Sequence, residues 1–248
     1  MSARIELRHR VHVLGKKEEL AATPVAGHIV IVLDILFATT TMVTALAHGA
    51  ARVVPVADEQ AARREAQHHP AREVVLAGEL YAETLPGFAH PAPLSLLRHG
   101  IGGKTVIYST TNGTVAMTLS AGAEHTYCGA LLNARRLAEH IVARHPERPI
   151  LIVCSGSGDN FNLEDFYGAG YFVERLAELL GAQADLSDAA IAARSLYRHA
   201  RAPEVLLDCR VGRMMSSRGL SDEVAFACRF DAFPVVPELR GGRLDLLA

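Results

Sequence analysis

Four short segments of this 248-residue chain gather hydroxyls, carboxylates and glycines where such groups could act on a small anion. Asp34 closes the apolar run His28–Leu33 and is followed by Thr39, Thr40 and Thr41. Gly78 and Glu79 follow the run Glu73–Ala77. Thr110, Thr111, Asn112, Gly113 and Thr114 follow Lys104–Tyr108. Ser155, Gly156, Ser157, Gly158 and Asp159 follow Ile150–Cys154, and Glu164 and Asp165 lie just beyond. Turns of this kind collect backbone N–H groups and hydroxyl donors suited to phosphate or a similar oxyanion. Asp34, Glu79, Glu164 and Asp165 would add oxygen ligands for a hard cation. Carboxylates without a His/Cys cluster point to Mg2+ rather than Zn2+. A cation beside an oxyanion cradle is the equipment of phosphoryl chemistry.

Each segment also has a plainer role. Threonines at a helix start cap it, Asn162 with Asp165 has the spacing of a capping box, and acids favour a first helical turn. The glycines of Gly156 and Gly158 suit a tight turn. Asp34 is harder to account for this way, because a carboxylate just past an apolar strand is poorly hydrated and needs a cation or several N–H donors.

The elements that must carry these segments follow from hydrophobic periodicity. Strands are predicted at His28–Leu33, Val53–Val56, Glu73–Ala77, Lys104–Tyr108, His125–Cys128 and Ile150–Cys154. Helices are predicted at Thr41–His48, Asp58–His68, Gly113–Ser120, Leu131–Arg144 and Asn162–Leu180, with broken helix from Ser187 to Ala227. Gly78–Pro93 reads as loop, and Pro234–Pro237 as a short extended end. Strands alternating with helices imply an α/β fold, its largely parallel sheet covered on both faces. Ligands in such sheets collect at the carboxyl ends of strands, where all four segments fall. The length suits one domain over residues 1–248 or two intimately joined halves. Ile35–Ala50 and Tyr108–Ala123 share one grammar of Thr-rich turn, helix and Gly-Ala, which hints at internal duplication, a pattern that recurrent βαβ units also produce.

Composition narrows the partners. Lys and Arg total 25 against 27 Asp and Glu, a formal charge of −2, which gives no electrostatic case for nucleic acid or an anionic membrane. The longest apolar run stops at Asp34, far short of the ~20 residues that span a bilayer. The N-terminus has no apolar signal core, and Cys128, Cys154, Cys209 and Cys228 form no CxxC pair. Buried thiols in the cytoplasm are expected. A homodimer is compatible with the sequence, which does not fix the oligomeric state.

Familiar phosphate motifs are absent. His99–Thr105 ends like a P-loop, but Arg98 stands where the first glycine belongs. The loop after Cys154 has Asn160 where a cysteine phosphatase needs arginine, and Leu36 stands where a haloacid-dehalogenase phosphatase has its second aspartate.

Taken in order, the segments resemble the 2-phosphosulfolactate phosphatase family of coenzyme M biosynthesis. The resemblance rests on Asp34–Thr41, Gly78-Glu79-Leu80, Pro86-Gly87-Phe88, Thr110–Thr114, Cys154-Ser155-Gly156 and Leu163–Gly170, and covers nearly the whole chain. It implies a three-layer α/β/α fold and Mg2+-dependent hydrolysis of 2-phospho-3-sulfolactate to sulfolactate and phosphate. On that basis Asp34, Glu79 and Asp165, with Glu164 as alternate, hold the ion and carry the chemistry. Thr39, Thr40, Thr110, Thr111, Asn112, Gly113, Ser155 and Gly156 hold the small phospho-acid. This chain departs from the family pattern at Phe37 and Leu80, where arginines are expected, and Pro91-Ala92-Pro93 replaces an Asn-Ser-Pro element. The two substitutions are expected to make the pocket more apolar. They also leave open a ligand-binding homologue without catalysis, or an enzyme for a less anionic phospho-acid.

Overall fold

Alternate residues of the apolar runs bury on opposite faces of one sheet, and that alternation organises the structure. Ile29, Ile31 and Leu33 pack into one core with Ile150 and Ile152, while Val30 and Val32 pack into another with Leu151 and Val153. A strand buried on both faces needs a helical layer on each, as found here. The structure, a computed structural model, describes residues 7–247.

In chain order the elements are β1 (Val11–Leu14), β2 (Ile29–Leu33), α1 (Ala38–Ala47), β3 (Arg52–Val56), α2 (Glu59–Ala66), β4 (Val74–Leu80) and β5 (Glu83–Thr84). Next come α3 (Pro93–Leu97), β6 (Thr105–Ser109), α4 (Gly113–Leu119), β7 (His125–Gly129), α5 (Ala134–Arg144) and β8 (Ile150–Cys154). The chain continues through α6 (Leu163–Leu180), α7 (Asp188–His199), α8 (Ala202–Asp208), α9 (Arg210–Ser217) and α10 (Ser221–Ala227). It closes with β9 (Pro237–Arg240) and β10 (Arg243–Leu246).

The ten strands form one mixed sheet in the order β1-β8-β2-β7-β9-β10-β3-β6-β4-β5. β1, β8, β2 and β7 are mutually parallel, and so are β3, β6 and β4. The hairpin β9–β10 joins these two blocks through antiparallel pairings with β7 and β3. Counted inward from the two ends, the order sets β1 against β5, β8 against β4, β2 against β6, β7 against β3 and β9 against β10. Thus β2-α1-β3 and β6-α4-β7 are equivalent crossovers running opposite ways between the blocks, which gives the repeated grammar a structural counterpart.

Several elements depart from the sequence expectation. β1 lies in a stretch rich in charge, and pairing with β8 sets it there, Val11 opposite Ile150. α3 begins at the last residue of the expected loop, where the sequence reading placed no helix, and Glu223 of α10 caps it: Leu94 and Ser95 donate their N–H groups to its carboxylate at 2.7 and 2.8 Å. The expected extended end at Pro234–Pro237 carries no strand before Pro237; a hairpin follows from there, turned by Gly241 and Gly242, both at positive φ as in a type I′ turn. α1 begins at Ala38, so the threonines sit within its first turn instead of capping it.

Candidate functional site

The threonine clusters do the same local job twice. Thr39 Oγ1 accepts from Asp34 N at 2.8 Å and donates to Asp34 O at 3.0 Å. Thr114 Oγ1 accepts from Thr110 N at 3.1 Å and donates to Thr110 O at 2.9 Å. Each hydroxyl ties the end of a strand to the first turn of the next helix, fixing Asp34 at the end of β2 and Thr110 at the end of β6. Thr40 Oγ1 likewise donates to Ile35 O at 2.8 Å. Thr39 and Thr40 are fully buried and form no part of the cleft surface.

The carboxyl ends of β2, β4, β6 and β8 open onto a cleft of about 380 Å³. Of the residues singled out from the sequence, Asp34, Glu79, Thr110, Thr111, Asn112, Gly156, Ser157, Gly158 and Asn162 line it, as does Phe37. Gly113 lies against its floor: a Cβ there would stand 2.7 Å from Asp34 Oδ2. Ser155, Glu164 and Asp165 are buried behind the wall. The Asp34, Thr110–Thr114 and Glu164–Asp165 segments therefore converge, but the four carboxylates do not converge as one ligand set.

Two of those carboxylates are anchors for the loops. Asp165 accepts from Ile35 N at 2.8 Å through Oδ1 and from Gly156 N at 3.1 Å through Oδ2, joining the loop after β2 to the loop after β8. Glu79 accepts from Thr111 N at 2.7 Å through Oε1, and from Ala82 N at 2.6 Å and Thr111 Oγ1 at 3.2 Å through Oε2. It thereby holds the Thr110–Thr114 turn against the β4–β5 hairpin. That hairpin places Tyr81 and Ala82 at φ 51° and 64°, a left-handed conformation costly for residues with a side chain.

Asp34 is differently placed. Oδ1 accepts one N–H, from Ala38 at 3.2 Å, and the carboxyl faces the cleft. Burial, with the charges of Glu79 and Glu164 beside it, pushes its pKa up to about 7 against the opposing Ala38 N–H and Lys17. Burial also raises Asp165 well above the usual range, with Asp34 and Glu164 adding to the effect, and it raises Glu164. Glu164 Oε1 is buried without a hydrogen-bond partner among the described residues. The negative charge gathered here is incompletely compensated. Burial raises the Cys154 thiol well above its ordinary range, so Cys154 stays protonated and is no nucleophile.

The sequence reading missed the cations. Lys17 is buried and donates to Asn112 Oδ1 at 3.0 Å and Ser155 O at 3.3 Å, bracing two of the site loops. Arg210, first residue of α9, lines the cleft. Its Nη2 donates to Ser157 Oγ and, at 3.0 Å, to Asn162 Oδ1. Asn162 therefore makes no side-chain cap for α6, contrary to the capping-box spacing. Neither cation falls within a motif, so only the tertiary structure shows them. Phe37 and Leu80 separate in the structure. Phe37 lines the cleft, beside Leu36, Met214 and Met215, whereas Leu80 is 53% exposed and lies outside it. Only the first contributes to an apolar wall.

Among the described residues, no three His, Cys, Asp or Glu side chains form a ready metal cage. Mg2+ is ordinarily held by one or two carboxylates completed by water and substrate oxygens. Asp34 and Glu79 on the cleft wall fit that pattern, since each has carboxylate lone pairs left over and the local charge is negative. Also among the described residues, no helix is long and apolar enough to cross a membrane.

Comparison with known proteins identifies a family. The 2-phosphosulpholactate phosphatase family matches residues 15–242. A probable 2-phosphosulfolactate phosphatase of Symbiobacterium thermophilum is 33% identical over 229 residues, 91% of this chain and 97% of that protein. Proteins of the same description from Deinococcus radiodurans and Carboxydothermus hydrogenoformans are 35% and 34% identical, covering 86% and 87% of this chain and 88% of each relative. On the extent of that match, the chain belongs to the 2-phosphosulpholactate phosphatase family.

Proposed function

We propose that the protein is a Mg2+-dependent phosphomonoester hydrolase that cleaves a short 2-phospho-acid of the 2-phospho-3-sulfolactate type to the hydroxy acid and phosphate. One observation carries the reading: the buried carboxyl of Asp34 faces a hydroxyl- and amide-lined turn in a cleft of substrate size, where burial pushes its pKa up.

Asp34 and Glu79 are the residues to hold Mg2+, which when bound polarises a phosphoryl oxygen and makes water easier to deprotonate. Thr110 and Asn112 face the phosphate with hydroxyl and amide donors, joined by the backbone of the loop at Gly156 and Ser157, while Thr111, whose hydroxyl donates to Glu79, fixes the turn between them. Asp165 and Glu79 hold those loops in register, so the donors are arranged before substrate arrives. Such preorganisation is where phosphoryl transfer gains most of its stabilisation. The apolar wall of Leu36, Phe37 and Met215 limits water around the ester. The site is proposed as cytoplasmic and self-contained within one chain.

Phosphate release from a panel of phospho-acids, with Mg2+ and again with EDTA, tests the reading. Metal-dependent release from at least one member is expected. Phe37 in the cleft favours one competing reading, a homologue that binds a ligand without hydrolysing it. Saturable binding with no release from any member would establish that reading instead.

A further inference from the structure

The cleft is poor in cations for a highly charged ligand. Arg210 is its one Lys or Arg among the described lining residues, while Asp34 and Glu79 line it with carboxylates. Lys17 is committed to Asn112, Ser155 and an ion pair with Glu18 at 2.8 Å. Arg218, outside the lining, is paired with Glu83 at 2.9 Å and bonded to Ala82 O. His90, also on the wall, has its pKa lowered chiefly by burial, which favours the neutral imidazole.

Arg210 is differently equipped. Ser157 and Asn162 hold Nη2, while Nη1 and Nε have no hydrogen bond to a described residue. The guanidinium is thus oriented by one nitrogen and open at the others, the arrangement that grips a single carboxylate or sulfonate. Beside it α9 presents Val211, Met214 and Met215 to the cleft, and Phe37 is part of the same lining. An anionic group placed against that wall would lose hydration without gaining a partner.

We infer that the substrate class is a phospho-acid with one further anion, gripped by Arg210, on a short apolar body that packs against Phe37 and the α9 methionines. This inference rests on the hydrolase reading above and narrows its substrate. A phosphate ester bearing both a carboxylate and a sulfonate brings one more negative charge than the cleft can pair. A body ending in a methyl or larger alkyl group meets the wall favourably.

The test compares 2-phospholactate, which has one carboxylate and a methyl group, with 2-phospho-3-sulfolactate and with ethyl phosphate, which lacks the second anion. With Mg2+, kcat/KM for 2-phospholactate is expected to exceed that for the sulfonated compound at least tenfold. In EDTA, calorimetric binding of the same compounds is expected to follow the same order, a readout independent of turnover. Arg210→Gln should raise KM for 2-phospholactate about tenfold or more, and lower kcat/KM for ethyl phosphate by a much smaller factor. Arg210→Lys should recover part of the loss. Arg210 is exposed, so the fold tolerates both changes. Preference for the sulfonated compound, or equal KM for 2-phospholactate in parent and Arg210→Gln, would overturn the inference while leaving the hydrolase reading intact. Absence of phosphate release from all three compounds, with binding in EDTA still ordered as above, would overturn the hydrolase reading and leave the ligand class standing.

Discussion

Asp34 and Gly113 lie so close that no side chain fits between them. A Cβ on residue 113 would sit 2.7 Å from Asp34 Oδ2 and 2.4 Å from the Ala38 Cβ. The floor of the cleft is therefore the contact between the start of α4 and the end of β2, one from each parallel block of the sheet. Only glycine allows the two blocks to close on Asp34.

Gly113→Ala follows directly. Forcing a methyl into that contact is expected to cost about 1–3 kcal/mol. A thermal melt should show a loss of about 2–4 °C per kcal/mol, together with reduced turnover because Asp34 must move. Gly122→Ala is the control: its Cβ would meet only Val25 at 3.7 Å, so its melting temperature should hold.

Asp34→Asn is expected to stabilise the metal-free protein at alkaline pH. The folded pKa of about 7 lies above the ~3.9 of an unfolded aspartate, so the proton is bound more tightly in the folded state. Stability from this group is complete below about pH 4 and is lost as pH rises through 7. Melts in EDTA should therefore place the variant above the parent at about pH 8, with the gap closing toward about pH 4. A gap constant with pH would show that Asp34 ionises as it does in water.

Mg2+ should raise the melting temperature of the parent and leave Asp34→Asn almost unmoved. An ion about tenfold above its Kd contributes ~1.4 kcal/mol, or about 3–5 °C for a chain this size. Equal shifts in both proteins would place the ion elsewhere.

Asp165→Ala removes an anchor without touching the cleft surface. Two buried N–H groups, on Ile35 and Gly156, lose their acceptor, at about 1–3 kcal/mol each. Lower stability and a lower kcat are expected together, since the loops after β2 and β8 lose their common tie.

Phe37→Arg and Leu80→Arg separate the two departures from the family pattern. Phe37 faces the cleft, so an arginine there should improve kcat/KM for 2-phospho-3-sulfolactate by tenfold or more. Leu80 is exposed and outside the lining, so its replacement should change little. A reversed ranking would mean that the β4–β5 hairpin, not the start of α1, meets the substrate.

The residue pattern by itself determined the α/β character, the buried strands at β2, β6 and β8, and the turns that carry hydroxyls and acids, because apolar alternation and turn chemistry are local. It also pointed to Asp34, since a carboxylate at the end of an apolar strand is anomalous wherever the chain goes. Tertiary structure decided what the acids do. Glu79 and Asp165 look alike as cation ligands in one dimension, yet Asp165 is buried behind the wall as a tie between two loops while Glu79 stays on the cleft surface, and that depends on segments far apart in the chain. The insertion of β9–β10 at the centre of the sheet, the capping of α3 by Glu223 and the arrival of Arg210 at the cleft are likewise long-range events. Their residues carry no local signature, because the energy that places them comes from pairing and packing with distant partners.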